Sequence, residues 1–91
     1  MQVSGLKELG EKNASIFRQL LLSAFKKHQK GIDVDLSEMT FVDSRGLAAL
    51  LELHQSCDDQ GSAMRLRNPS PPVQQILEFT RMNNVFQIVN E

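Results

Sequence analysis

Two short stretches, Ile32-Asp33-Val34-Asp35-Leu36 and Ala63-Met64-Arg65-Leu66-Arg67, alternate apolar with charged residues, and a helical pattern lies between them. Alternation of period two puts every second side chain on the same side of a strand, so each stretch predicts one oily face and one charged face. A strand sandwiched between two helix layers reads instead as a nearly unbroken aliphatic run, so the alternation argues against helices covering both sides. A strand, a helix and a second strand in succession predict a parallel pair joined by a crossover. Asp33 and Asp35 then face Arg65 and Arg67 across the polar side, in pairs worth roughly 0.2–1 kcal/mol each.

The remaining segments fit around that pair. Asn13 or Ser15 is placed to cap a first helix in which Ile16, Phe17, Leu20, Leu21, Ala24 and Phe25 recur at helical spacing. Lys26, Lys27, His28 and Lys30 gather in its last turn, where cations oppose the negative end of the helix dipole, and Gly31 permits a left-handed stop. A second helix starts near Ser44, carries Leu47, Leu50, Leu51 and His54 on one stripe, and ends by Gly61. Asn68-Pro69-Ser70-Pro71-Pro72 stops a strand, and its prolines suit a first helical turn capped by Ser70. The third helix turns Val73, Ile76, Leu77 and Thr80 inward and leaves Phe79 off that stripe. Asn83-Asn84 marks a turn before a last strand over Val85 to Val89. Alternating strands and helices predict an α/β fold.

The chain has 91 residues, enough for a single domain over 1–91 that buries roughly 60% of its unfolded surface. Ten basic and eleven acidic residues nearly cancel, and neither tryptophan nor tyrosine is present to stack on bases, so nucleic acid is not an expected partner. The single cysteine, Cys57, follows Leu50, Leu51 and His54 at helical spacing and reads as a buried thiol. No stretch approaches the roughly 20 apolar residues that span a bilayer, and no leader pattern opens the chain. A cytoplasmic protein without membrane insertion is expected.

Function is concentrated in Asp35-Leu36-Ser37-Glu38-Met39-Thr40-Phe41-Val42-Asp43-Ser44-Arg45-Gly46-Leu47. Ser44 stands where a helix begins, and unpaired N–H groups with a partial positive charge suit an anion such as phosphate there. The pattern alone leaves two roles open: a helix cap worth roughly 1 kcal/mol, or a hydroxyl displayed for modification. Asp35 and Asp43 lie eight residues apart with neither a histidine nor a third acid in the motif, too little for a catalytic pair or a metal site. Asp35 is expected to end its strand and accept backbone hydrogen bonds near Ser44. Arg45 reads as a surface arginine or as a partner for a phosphate or an acidic residue, and Gly46 permits close backbone approach. The histidines, His28 and His54, have no sequence context that places either beside Ser44 as a base, and no Gly-rich phosphate loop is present. No catalytic residue, metal or cofactor is expected. Met39, Met64 and Met82 read as packing. Phe79, Met82 and Phe86 are read as core or as a small contact surface.

Asp35-Leu36-Ser37, Phe41-Val42 and Asp43-Ser44-Arg45-Gly46-Leu47, followed by Leu66-Arg67-Asn68-Pro69-Ser70-Pro71 and Val85-Phe86-Gln87-Ile88, resemble the signature of STAS domains. The resemblance implies a small central sheet with crossover helices, here shortened at both ends, with the family's first strand and last helix absent. A homodimer or strand exchange is left open. It further implies a non-enzymatic partner of an anti-sigma factor and serine kinase, bound while Ser44 is unmodified and released by its phosphorylation. Asp35, Asp43, Ser44, Arg45 and Gly46 are the implied contact residues, with Asp35 helping the kinase engage and Asp43 holding the turn. The alternative within the family is a constitutive STAS subunit of a bacterial lipid-asymmetry ABC transporter.

Overall fold

The computed structural model describes residues 1–28 and 31–91, the side chains of 26–28 excepted. Along the chain run β1 (Gln2–Val3), β2 (Glu8–Leu9), α1 (Ala14–His28), β3 (Ile32–Asp35), β4 (Phe41–Val42), α2 (Ser44–Asp59), β5 (Met64–Arg67), α3 (Pro71–Phe79), a 3-10 turn (Met82–Asn84) and β6 (Gln87–Val89). Strands β1, β3, β5 and β6 form a four-stranded parallel sheet in that order, and β2 pairs with β4 in a separate parallel ribbon.

The alternation acts as expected. Ile32, Val34, Met64 and Leu66 are buried under the helices, while Asp33, Asp35 and Arg67 are half-buried and Arg65 exposed on the other face. Register places Asp33 opposite Arg65 and Asp35 opposite Arg67. The first pair is bidentate, Arg65 Nε donating to Asp33 Oδ1 at 2.8 Å and Nη2 to Oδ2 at 2.7 Å. The second pair does not close. Arg67 turns to Glu91 and lies 3.9 Å from Asp33 Oδ2, while the Asp35 carboxylate bends back to accept the Ser37 N–H at 2.9 Å. A carboxylate at a strand end finds the next turn's N–H closer than a neighbouring strand's guanidinium, which corrects the second pairing and the expectation that Asp35 bonds near Ser44.

On the covered side, α1 supplies Phe17, Leu21 and Phe25, α2 supplies Leu47, Leu50, Leu53 and Cys57, and α3 supplies Val73 and Leu77. Leu53 joins the expected stripe of α2, and Cys57 is a buried free thiol whose pKa burial pushes up. In α1, Ile16 and Leu20 are exposed, because at about 100° per residue they lie a quarter to a third of a turn from the Phe17–Phe25 line. The basic cluster of Lys26, Lys27, His28 and Lys30 lies outside the described residues and side chains. Ser70 occupies the N-cap position of α3 without making a side-chain cap; its hydroxyl donates to the Met39 carbonyl instead. The last strand is shorter than its apolar run, since Val85 and Phe86 remain in the turn. Phe79 and Phe86 part company: Phe86 is core, whereas Phe79 is 89% exposed.

A double-mutant cycle on Asp33→Ala and Arg65→Ala is expected to give a small favourable coupling that shrinks as salt is added, since Arg65 is largely solvated. Urea titration of the four proteins checks it.

Candidate functional site

The β2–β4 ribbon places the start of α2. Its segment Lys7 to Leu9 was not expected to pair, yet Thr40 N donates to the Lys7 carbonyl at 2.8 Å and Asp43 N to the Leu9 carbonyl at 3.3 Å. Two-residue strands leave too little alternation to be legible in sequence. Past Val42 the chain turns at Asp43, which is extended (φ −114°, ψ −173°), and enters α2.

Asp43, not Ser44, is the N-cap. One carboxylate oxygen accepts the N–H groups of Arg45 and Gly46, both at 3.0 Å, and the other accepts the Glu11 N–H, also at 3.0 Å. A single side chain thus satisfies two orphan donors of α2 and ties them to the turn before α1. That turn is itself built around Asn13, whose Oδ1 accepts the Gly10 N–H and whose Nδ2 donates to the Glu8 carbonyl, each at 2.9 Å. Glu11 and Gly10 are therefore parts of the site that the sequence reading passed over.

Two glycines make the approach possible. A Cβ on Gly46 would stand 2.1 Å from the Leu9 carbonyl oxygen, and one on Gly10 would stand 2.6 Å from Asp43 Oδ2. Gly46 is accordingly buried, and the start of α2 meets the backbone of β2 directly. Close approach at Gly46 is as expected.

Ser44 is the first residue of α2 and is exposed. With the Arg45 and Gly46 N–H groups held by Asp43, its hydroxyl is free of the capping role and projects from the helix start. Arg45 is exposed beside it and forms no salt bridge among the described residues. Asp43, Ser44, Arg45 and Gly46 thus form one contiguous cluster, whereas Asp35 belongs to the C-terminal end of the main sheet. It lines an open polar depression with Ser4, Arg67, Asn68 and Glu91.

The other candidate groups lie elsewhere. His54 is ten residues along α2 from Ser44, about 15 Å of helix axis. It is half-buried with its ring edge-on to Phe86 (centroids 5.6 Å apart), and its Nδ1 is buried with no hydrogen-bond partner among the described residues. The His28 side chain is outside those described. Among the described residues, no cluster of three or more His, Cys, Asp or Glu residues is arranged to hold a metal ion. No helix among them is long and apolar enough to cross a membrane.

The fold is an α/β domain with a four-stranded parallel sheet buried on one face. The STAS domain model matches residues 7–91, and the chain belongs to that family. No curated protein matches the sequence. Among solved structures, TM1081 of Thermotoga maritima, a candidate anti-sigma factor antagonist, superposes with a TM-score of 0.87 at 22% identity, covering 99% of this chain and 79% of that one. The anti-sigma factor antagonist SpoIIAA in its unphosphorylated form gives 0.86 at 19% identity, covering 99% and 77%. The phosphorylated form of the Bacillus cell fate determinant SpoIIAA gives 0.74 at 20% identity, covering 99% and 78%. The fold is thus that of anti-sigma factor antagonists, in a chain shorter than these structures. Among the described residues the four-stranded sheet begins at Gln2–Val3, and no helix follows β6.

Hydrogen bonds set the electrostatics. The Asp43 carboxyl is held below the ordinary carboxylate range, first by the Gly46 N–H and next by that of Glu11. Asp35 is lowered by Ser37, and Asp33 chiefly by the hydrogen bond from Arg65. Groups whose folded pKa is depressed stabilise the fold above the unfolded value near 4, and that stabilisation is lost as pH falls through the folded values. Unfolding midpoints should therefore fall below about pH 4, with a shallower fall in Asp43→Asn, which keeps a capping oxygen but cannot titrate. Gly46→Ala is expected to cost about 1–3 kcal/mol in chemical denaturation, because Leu9 must move.

Proposed function

We propose that this STAS domain is a non-enzymatic regulatory module of the cytoplasm that binds an anti-sigma factor with serine kinase activity while Ser44 is unmodified. Phosphorylation of Ser44 by that partner releases it. The observation that carries this reading is an exposed serine hydroxyl at the first position of α2 whose neighbouring N–H groups are already held by the Asp43 carboxylate.

The arrangement supports a charge switch at a surface. Phosphate brings about −1.5 to −2 charges and three acceptor oxygens. With Asp43 occupying the N–H groups of Arg45 and Gly46, the phosphate stays outward, beside a carboxylate whose pKa is already low. Negative charge then accumulates at the rim that a partner must cover, and desolvating it opposes docking. The core is untouched, since the cap that orients α2 belongs to Asp43. Arg45 is placed to meet part of the new charge. Asp35 is assigned to the kinase's contact rather than to the serine's own support.

The partner supplies ATP, magnesium and the catalytic base; this chain supplies the acceptor hydroxyl. A base for Ser44 within the chain is not provided by His54, which sits far along the same helix.

Ser44→Ala should bind the kinase within a few-fold of the unaltered protein and fail to be released by ATP. Ser44→Asp should bind at least about tenfold more weakly. Calorimetry with the purified kinase, together with intact-mass analysis of protein taken from its native cell, checks both. Equal binding by the Ala and Asp proteins, with no phosphate in vivo, would instead assign the chain to a constitutive assembly such as the transporter subunit.

A further inference from the structure

Strand β6 closes one end of the main sheet, with β5 on its inner side and no strand on its outer side among the described residues. The Asn68 N–H donates to the Val89 carbonyl at 2.8 Å, so residue 89 turns its backbone groups toward β5. Backbone groups alternate along a strand, and the N–H and C=O of Ile88 therefore point outward. Water can serve both groups, but an open edge is also a template for another strand, and natural proteins blunt such edges with charge, proline or a bulge. β6 carries no such device: none of residues 82–90 is charged, and none is proline or glycine. Val85, Phe86, Ile88 and Val89 are instead residues that favour strand pairing.

Charge says what covers the edge. An edge without charge gives a foreign strand nothing to read beyond its backbone, whereas a second copy meets it with no like charges opposed. The whole chain carries a net charge of −1, so long-range repulsion between copies is slight. A two-fold axis beside Ile88 makes the pairing antiparallel, each Ile88 donating its N–H to the carbonyl of the other copy's Ile88. That register suits the backbone, since the preceding outward residue, Phe86, already donates its N–H to the Met82 carbonyl at 3.1 Å. It sets Ile88, packed against the core on the helix side, opposite Ile88 of the second copy, and Gln87 opposite Val89 of the second copy on the open face.

We infer that two copies of this chain join along β6 into one continuous sheet, with β1 at both outer ends. The closed pair uses up the β6 edge of each copy, so association stops at the dimer. This goes beyond the proposed function, because β6 shares no residue with the start of α2 and the pairing holds whether or not Ser44 carries a phosphate.

Analytical sedimentation of the full chain over a wide range of concentration should show a monomer passing into a dimer and nothing larger. As the dimer forms, hydrogen exchange should slow at the Ile88 amide and not at that of Gln2 on the opposite edge. In Gln87→Glu with Val89→Glu, the new carboxylates lie beside Arg65 and Arg67 of the same copy, so the monomer should keep its amide spectrum. Between copies they face one another, and dimerisation should weaken about tenfold. The matching variant, Gln87→Lys with Val89→Lys, should dimerise as poorly alone, and mixing the two should restore a pair made of one copy of each. A monomer at every concentration, an open series of larger species, an association that the glutamates leave intact, or a mixture that fails to pair would overturn the inference. So would a dimer lost in Ile16→Ser with Leu20→Ser, which would place the contact on α1, or protection at Gln2 in place of Ile88, which would place it on β1.

Discussion

The Asp43 carboxylate gathers the N–H groups of Arg45 and Gly46 from one helix and that of Glu11 from the turn before another. The start of α2 and the turn before α1 are arranged around that junction. It caps α2, it anchors the turn that starts α1, and it relieves the adjacent serine of a structural duty. A helix capped by its own first serine would bury part of the hydroxyl's hydrogen-bonding capacity in the fold, and modifying it would then cost stability. With the cap one residue upstream, Ser44 takes no part in orienting the helix.

Bare backbone makes the junction compact. The Leu9 carbonyl oxygen occupies the place where a Cβ of residue 46 would lie, and Asp43 Oδ2 lies where a Cβ of residue 10 would crowd it. These contacts bring the β2–β4 ribbon, the α1 entry and the α2 start within reach of one side chain. The same closeness sets Phe41, Glu8 and Glu11 beside Asp43, around one open depression.

Much of this was legible beforehand, for a physical reason. Alternation in Ile32 to Asp35 and Met64 to Arg67 has a period that only a half-covered strand satisfies, and the Asp33–Arg65 pair follows from it once the strands lie parallel. The second pairing failed because Arg67 and Asp35, at strand ends, had nearer partners in Glu91 and Ser37. The ribbon of Glu8–Leu9 with Phe41–Val42 was not legible, since strands of two residues carry no period. Ile16 and Leu20 were read as core because six apolar residues span a wider arc of α1 than the sheet can cover.

The sequence by itself determined the α/β class, the one-sided sheet, the family and the serine at the head of the second helix, because each rests on local spacing or a contiguous motif. Only the tertiary structure decided that Asp43 holds the cap, that Glu11 and Gly10 belong to the site, and that Phe41, Ile16 and Leu20 remain in water. Those depend on which segments far apart in the chain come to lie side by side, and hydrogen bonds across thirty residues leave no trace in either neighbourhood alone.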